Sequence, residues 1–229
     1  MADIGKFRTV DVQDLARFAY GGDELRMRRE IEHLRKEGLV EQKSVFRAHK
    51  SPRQVVTLTE RGHRLIRRTN GLPRGQRMYH GFVKAREINH DADLYKVYQQ
   101  AAAEIRERGG TPTKVTLDFE LKATVQRERN AVKELSNDER MERLRAFAEK
   151  CGLPTRGTTI HVPDVQIEYE TREGERERAN LELVSENYRT QGIRSKADSG
   201  FRIYARGNDA TRVRRALQDT RAVERILSV

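Results

Sequence analysis

The chain has 229 residues, and its 46 Lys and Arg residues against 35 Asp and Glu residues give a formal net charge of +11. This length predicts one large or two small domains, no apolar run approaches the roughly 18 residues of a membrane span, and the first residues lack the apolar core of a signal peptide. The single cysteine, Cys151, excludes an internal disulfide and a Cys-rich zinc module, and we expect a cytoplasmic protein. Because the net charge is strongly positive, the expected partner is nucleic acid rather than a membrane.

The first 70 residues carry +6 of the net charge and a helix-turn-helix pattern. Residues 7–10 predict a short strand. Asp11 is a good N-cap for an amphipathic helix over 12–20, and Asp23 is one for a second helix that ends at Glu37. Two glycines separate the helices and a third follows the second helix, which is typical of a tight turn and of a helix C-terminus.

The second helix has one apolar stripe and one basic outer face. Met27, Ile31 and Leu34 recur at helical spacing, so this stripe is expected to face the core. The opposite side and its flanks are rich in basic residues, as in a recognition helix that contacts base edges and phosphates. The residues predicted to bind DNA on this helix are Arg26, Arg28, Arg29, His33 and Lys36.

Two strands with a basic tip follow, over 43–46 and 55–58, and a final helix begins after Thr59. A polar, Pro-containing tip between two strands is typical of a wing that lies along the phosphate backbone. The wing residues predicted to contact DNA are Arg47, His49, Lys50 and Arg53. Residues 1–70 resemble the winged helix-turn-helix domains of bacterial DNA-binding proteins; the alternative is a winged helix that makes only protein contacts.

The composition of residues 71–90 indicates a linker, and residues 91–229 show a new pattern of alternating helices and strands. Tyr79, His80 and Phe82 in the linker allow two interpretations. They either stack on nucleic-acid bases or, as we prefer, dock the linker onto a domain.

The second domain begins with a helix over 93–108 and a strand over 115–122 whose side chains alternate between apolar and polar. The polar face of this strand is predicted to hold Asp118, Glu120 and Lys122. The later elements are a charged helical stretch over 125–150 that Asn137 and Asp138 divide, strands over 162–169 and 179–185, a helix over 189–197, a strand over 201–204 and a helix over 210–227. The order predicts an α+β protein whose second domain has a mixed sheet.

This order resembles the core of the restriction-endonuclease-like fold, the PD-(D/E)xK superfamily. Pro163-Asp164 begins the first hairpin strand, and Glu182-Leu183-Val184 lies where the family has Glu-x-Lys. The resemblance implies that Asp164 and Glu182 bind a divalent cation, and that the lysine missing at Val184 would position or activate water. Lys122, on the same strand face as Glu120, is the alternative source of that positive charge. We prefer the interpretation that this face is merely solvated and the domain inactive or very weak.

The whole arrangement is similar to the replication-relaxation family of plasmids and other bacterial mobile elements. The similarity rests on the architecture and on His90-Asp91, Pro163-Asp164 and Leu181-Glu182-Leu183-Val184. It implies a plasmid- or nucleoid-associated protein that binds double-stranded DNA in replication, mobilisation or transcriptional control and needs no cofactor. Two alternatives stay open: a winged-helix-targeted nuclease that uses Mg²⁺ or Mn²⁺, and an adaptor that recruits a replication, mobilisation or effector protein. A homodimer is also considered.

Overall fold

In the computed structural model, the chain forms two compact units, Met1–Glu104 (unit 1) and Ile105–Val229 (unit 2). The structure describes residues 1–47, 50–69, 72–85, 87–157, 159–184, 190–206, 211 and 213. Helices and strands occur in both units, which confirms the α+β class. Within these described ranges, no helix has the length and apolar character needed to cross a membrane.

Unit 1 contains a helix-turn-helix followed by a two-stranded wing. Its elements are α1 (Ala2–Phe7), β1 (Val10–Asp11), α2 (Val12–Ala19), α3 (Glu24–Lys36), β2 (Val40–Arg47), β3 (Lys50–Leu58), α4 (Glu60–Arg68) and the first part of α5 (Ile88–Glu107). The three strands form an antiparallel sheet in the order β1-β3-β2, with Val10 opposite Val56 and Val40 opposite Leu58. Helix α2, a tight turn, helix α3 and the wing are the arrangement that the sequence predicts.

Helices α2 and α3 begin where the sequence places their caps. Asp11 Oδ1 accepts a hydrogen bond from the backbone N–H of Gln13 at 2.7 Å, and Asp23 Oδ1 accepts one from Arg26 at 2.9 Å. Each aspartate satisfies an N–H that the first helical turn leaves without an intrahelical acceptor. Gly22, between the helices, has φ 91°, a left-handed conformation that residues with a Cβ rarely adopt.

The strand predicted over 7–10 is wrong, because Phe7 ends α1 and only Val10 enters β1. The buried Phe7 ring packs against the rings of Tyr95 and Tyr98 on α5, with centroid distances of 5.4 and 5.1 Å. These partners lie far along the chain, so the local sequence pattern carries no sign of them. Packing between distant segments therefore decides the structure of the N-terminus.

The segment predicted as a linker packs onto unit 1. The backbone N–H of Tyr79 donates a hydrogen bond to Gly5 O at 2.7 Å. Val83 joins a buried apolar cluster with Val55, and Phe82 packs against that cluster. These contacts confirm that Tyr79 and Phe82 dock the linker onto a domain. The boundary between the compact units consequently lies beyond the linker, inside α5.

Unit 2 is built around a four-stranded mixed sheet. Its elements after α5 are β4 (Thr111–Leu117), α6 (Asp118–Ala131), α7 (Asn137–Lys150), β5 (Thr155–Arg156), β6 (Thr159–Ile160), β7 (Val165–Glu170), β8 (Arg176–Val184), α8 (Thr190–Asp198) and β9 (Arg202–Ala205). The sheet order is β4-β7-β8-β9, antiparallel except for the parallel pair β8 and β9. Leu117 lies opposite Val165, and Val165 lies opposite Leu181. The mixed sheet is thus confirmed.

The strand predicted over 115–122 is wrong in its second half. It ends at Leu117, and Asp118 begins α6. Glu120 Oε1 accepts a hydrogen bond from the backbone N–H of Leu117 at 3.2 Å, which satisfies a donor at the helix start. Asp118, Glu120 and Lys122 therefore lie in the first turns of a helix and do not share a strand face.

The helical stretch over 125–150 is divided, as the sequence predicts. Helix α6 ends at Ala131, and Ser136 caps α7 by accepting a hydrogen bond from the N–H of Glu139 at 3.4 Å. Leu121 and Val125 on α6 pack in one buried cluster with residues of α7. The helix predicted over 210–227 lies outside the described residues, except for 211 and 213, which are helical.

Candidate functional site

The outer face of α3 is the candidate site of unit 1. Met27 and Ile31, which are 2% and 4% exposed, anchor the opposite face in the core. The basic residues of the helix that are predicted to bind DNA are exposed, namely Arg26, Arg28, Arg29, His33 and Lys36. The apolar stripe of α3 faces the core, so the basic residues lie on the solvent-facing side of the helix.

Several basic side chains of α3 form ion pairs with glutamates of the same helix. Arg28 pairs with Glu24 at 3.2 Å, and Lys36 Nζ lies 3.8 Å from Glu32. Exposed pairs of this kind contribute only about 0.3–0.5 kcal/mol each, so a phosphate can displace the glutamate at little cost. Among the described residues, Arg29 has no ion-pair partner.

Arg26 is held on the α2 side of the helix. Its Nε lies 3.1 Å from Glu30 Oε1, and the hydroxyl of Tyr20 donates to Glu30 Oε2 at 2.8 Å. Burial, followed by the hydrogen bond and charge of Glu30, raises the pKa of Tyr20 to about 12. Conversely, the hydrogen bonds from Tyr20 and Arg26 lower the pKa of Glu30. The network positions Arg26 on the flank of α3, so Arg29 is the more central outward residue.

A groove of about 870 Å³ separates α3 from the wing. The residues that line it are Asp11, Val12, Gln13, Met27, Arg28, Ile31, Glu32, Gln42, Ser51, Pro52, Arg53 and Gln54. It presents one guanidinium and one carboxylate of α3 towards amide and hydroxyl side chains of the wing. This mixed lining suits a polar, hydrated surface more than an apolar ligand.

Arg53 is not a DNA contact, contrary to the sequence-based prediction. It lies within β3 instead of at the tip of the wing and is 6% exposed. Its guanidinium binds Asp11 Oδ2 and Asp93 Oδ1, each at 2.5 Å. Burial alone lowers the pKa of Arg53, but the charges and hydrogen bonds of Asp93 and Asp11 outweigh burial and raise it. The side chain is therefore a buried link between the wing, β1 and α5.

The other predicted wing contacts are placed only by their backbone. Arg47 and Lys50 pair opposite each other where β2 and β3 meet. This position is the tip of the wing, as the sequence predicts. His49 lies outside the described residues, so its assignment stays a prediction.

Unit 2 brings the predicted acidic pair together at one end of two neighbouring strands. Asp164 directly precedes β7, and Glu182 lies on β8, next to the residue that pairs with Val165. The backbone N–H of Leu183 donates to Asp164 Oδ2 at 2.9 Å. Glu182 is 1% exposed. The antiparallel register of the hairpin is thus what makes the two carboxylates neighbours.

Lys196, which the sequence motifs do not single out, supplies a positive charge beside this pair. Its Nζ lies 2.6 Å from Glu182 Oε1 and also donates to Val162 O at 2.9 Å. Lys196 belongs to α8, whereas the family motif expects a lysine at Val184. One signal was available, because Lys196 follows the apolar Ile193 by three residues and so shares its inward face.

Lys122 also lies near the acidic pair, but from α6. Its Nζ is 2.5 Å from Asp118 Oδ2. Burial lowers the pKa of Lys122, but the hydrogen bond and charge of Asp118, and then the charges of Asp164 and Glu182, raise it above the ordinary lysine value. Glu120 instead caps the start of α6, so it has a structural role in place of the catalytic role predicted for it.

The acidic pair fits a metal ion only in part. Mg²⁺ is commonly held by one or two carboxylates, with waters and substrate phosphates completing its shell. In the part of the chain that the structure describes, no group of three or more His, Cys, Asp or Glu side chains comes together in a way that would hold a metal ion. Asp164 and Glu182 are therefore not joined there by a third protein ligand. Binding of Mg²⁺ or Mn²⁺ by this pair stays a prediction.

The chain has a weak structural likeness to a DNA-bound protein. No protein-family model and no curated protein matches the chain. The crystal structure of Bacillus subtilis PadR in complex with operator DNA matches at 12% identity and a TM-score of 0.21, covering 64% of this chain and 95% of that chain. A likeness at this TM-score carries no argument about fold or function. The resemblance to the replication-relaxation family stays a prediction.

Proposed function

We propose that the protein binds double-stranded DNA through unit 1, with α3 in the major groove. The observation that carries the proposal is the open face of α3, where Arg29, His33 and Lys36 project from a helix anchored by its opposite stripe. A major groove about 12 Å wide admits one α-helix, and arginine forms a two-bonded contact with guanine there. The wing, whose tip holds Arg47 and Lys50, lies along the phosphate backbone in this arrangement.

Arg29 is the residue proposed to contact a base. It stands closest to the centre of the outer face, and the glutamates of α3 that pair with other basic residues do not pair with it. The paired residues Arg28 and Lys36 would exchange their glutamates for phosphates. This division separates sequence recognition from general attraction to the backbone.

The test is binding of purified full-length protein to a duplex selected from a random library, measured by fluorescence anisotropy. We expect Arg29→Ala to weaken binding to the selected duplex by about 1–3 kcal/mol and to relax preference at one base pair. Arg129→Ala, at an exposed position of α6 in unit 2, removes the same charge and serves as the control. Equal affinity of wild type and Arg29→Ala for every duplex would refute the assignment.

We further propose that this DNA binding serves replication, mobilisation or transcriptional control of a mobile element, with unit 2 as an inactive nuclease-like unit. Two placements support this proposal: Asp164 directly before β7, and Glu182 on β8, both positions that the resemblance implies. Val184 in place of the motif lysine supports the inactive form. The experiment is incubation of plasmid DNA with purified protein and Mg²⁺ or Mn²⁺, in which we expect no cleavage, and we expect Asp164→Ala to leave DNA binding and folding unchanged.

A metal-dependent nuclease is the second candidate, and one observation favours it. Lys196 places an ammonium 2.6 Å from Glu182, so the positive charge missing at Val184 is present from α8. A divalent ion bound at this pair would act as a Lewis acid on a phosphate. Lys196 would orient the carboxylate of Glu182. Plasmid nicking with Mg²⁺ or Mn²⁺ that survives in Lys122→Ala but is lost in a folded Lys196→Ala variant would establish this candidate.

A further inference from the structure

The most basic segment of the chain lies outside the surfaces that the proposed function uses. Residues 61–86 contain eight Lys and Arg residues and no Asp or Glu. Four of the eight lie on α4, where Glu60 at the first position is the one acidic residue. We refer to Arg61, Arg64, Arg67 and Arg68 as the α4 basic face. All four are exposed.

The packing of α4 turns these arginines towards solvent. Gly62 is buried so closely against Leu39, the residue before β2, that an added Cβ would lie 2.0 Å from Leu39 O, and Ile66 follows one turn later on the same side. Arg64 and Arg68 are one turn apart on the opposite side. With a rise of about 1.5 Å per residue, the arginines spread over about 10 Å of helix, which covers about three successive phosphates of one DNA strand at about 3.4 Å of axis each.

The positive charge of the α4 basic face is not compensated as it is on α3. Within the described ranges, none of its four guanidinium groups has a carboxylate at ion-pair distance. Like charges one turn apart destabilise a helix by a few tenths of a kcal/mol per pair. An arrangement that accumulates this repulsion on a solvent face indicates an anionic partner that removes it.

The segment that follows α4 packs against this helix beside the α4 basic face. His63 Nε2 lies 3.0 Å from Met78 O, and the rings of His63 and His80 are 4.9 Å apart, which holds residues 76–80 against α4. Burial lowers the pKa of His63, and the charges of His80 and Arg67 lower it further. The positive charge of this surface therefore comes from the arginines and not from His63.

The start of α4 is tied to the end of α3. Thr59, the N-cap of α4, donates its hydroxyl to Gly38 O at 2.6 Å, and its side chain accepts from the N–H of Gly62 at 3.0 Å. Gly38 follows Glu37, the C-cap residue of α3. A duplex bound by α3 would therefore continue close to the first arginines of α4.

We propose that the α4 basic face is a second phosphate-binding surface that contacts the DNA flank beside the site read by α3. This inference rests on the proposed function. DNA is favoured over an anionic membrane because Leu65, 45% exposed, is the large apolar side chain that α4 offers to solvent, and membrane-surface helices need a broad apolar face. Contacts to phosphates add affinity without sequence preference and make binding depend on salt.

The test compares the salt dependence of DNA binding for wild type and for Arg64→Gln with Arg68→Gln. For a duplex of about 30 base pairs, we expect the slope of log K against log salt to fall by about 2 in the double variant, equally for selected and unrelated sequences. Arg127→Gln with Arg129→Gln, on exposed positions of α6, removes the same charge and should leave the slope unchanged. A duplex shortened to the α3 site should bind wild type and the α4 variant alike.

Further variants and probes keep the outcomes distinct. The Arg64→Lys, Arg68→Lys variant keeps both positive charges and should restore the wild-type slope. Circular dichroism shows whether the Gln variant is folded. If that variant folds poorly, the Lys variant still tests the role of the charges. A wild type that binds no duplex overturns the proposed function and this inference together. A wild type that binds DNA with the same slope as the Gln variant overturns this inference alone. If the Arg64→Gln, Arg68→Gln variant loses binding to phosphatidylserine vesicles but binds DNA as wild type does, this inference is also overturned.

Discussion

At the level of single residues, buried charge in unit 1 is concentrated around Arg53. The carboxylates of Asp11 and Asp93 flank its guanidinium, and its Nη1 also donates to Asn89 O at 3.1 Å. Burial of such a group is tolerated only while hydrogen bonds replace the lost hydration. The cluster therefore joins β3 to β1 and α5, and loss of one member leaves the others buried without compensation.

Replacing Arg53 by Met should destabilise unit 1 by about 3–5 kcal/mol, because two buried carboxylates lose their counter-charge. Chemical denaturation with near-equal m-values measures the change. Arg26→Met is the matched control, since its pair with Glu30 is exposed to solvent and screened by it. If Arg53 were the phosphate contact that the sequence predicts, the variant would keep its stability and lose about one unit of salt slope instead.

The same cluster gives unit 1 a defined pH dependence through Asp14. Burial, and next the charge of Asp11, raise the pKa of Asp14 to about 6, while Lys96 and Arg53 oppose the shift. Between about pH 4 and 6 the folded protein holds a proton that the unfolded chain has released, so stability falls as pH rises through this window. Asp14→Asn should therefore be about 1–2 kcal/mol more stable than wild type at pH 7 and equal to it near pH 4. Parallel stability curves from pH 4 to 7 would contradict this expectation.

Residue types and spacings identify Arg53 and Lys196 poorly because their roles depend on distant partners. Arg53 occurs in a basic stretch that is typical of a wing tip, and its partner Asp93 lies 40 positions later on another helix. Lys196 lies on α8, and its partner Glu182 lies on the preceding strand β8. In contrast, Asp164 and Glu182 were predictable as neighbours, because both belong to one hairpin whose register follows from its turn.

At the level of elements, the position of α4 depends on one glycine. Gly62 lies where the helix backbone meets the carbonyl of Leu39, and a Cβ there would be 2.0 Å from the oxygen. Because the obstacle is backbone, it cannot move aside as a flexible side chain would. The close approach allows α4 to dock on the sheet while its arginines stay exposed.

Gly62→Ala should consequently push α4 away from the sheet and cost about 1–3 kcal/mol of stability, although alanine is intrinsically the better helix former. Arg64→Ala, at an exposed position of the same helix, should change stability by less than about 0.5 kcal/mol. Thermal unfolding followed by circular dichroism compares the two. Equal melting of Gly62→Ala and wild type would show that the contact with Leu39 relaxes freely.

Element boundaries were predictable where local chemistry sets them. Asp11 and Asp23 cap their helices through side-chain contacts within three residues, as the sequence predicts. The strand over 115–122 was misassigned because alternation continues by chance past Leu117 into the first turn of α6. There the acidic residues Asp118 and Glu120 favour a helix start, and the hydrogen bond from Leu117 N–H to Glu120 decides between the two patterns.

At the level of the whole molecule, each compact unit has a core of its own. Met27 and Ile31 belong to the core of unit 1, and Leu181 and Ile167 belong to the sheet of unit 2. The excess positive charge is concentrated in the first unit, where residues 1–70 carry +6 of the total +11. Electrostatic attraction to a polyanion is thus supplied mainly by the unit that holds the helix-turn-helix.

Two separate cores lead us to expect two unfolding transitions in calorimetry of the full-length protein. Met27→Ala should lower the transition of unit 1, and Leu181→Ala should lower that of unit 2, since each deletion of a buried side chain costs about 2–5 kcal/mol. For units of about 100 residues, 1 kcal/mol corresponds to a shift of about 4–8 °C, so the two effects are easily separated. A single transition that both variants shift equally would mean that the cores unfold as one cooperative body.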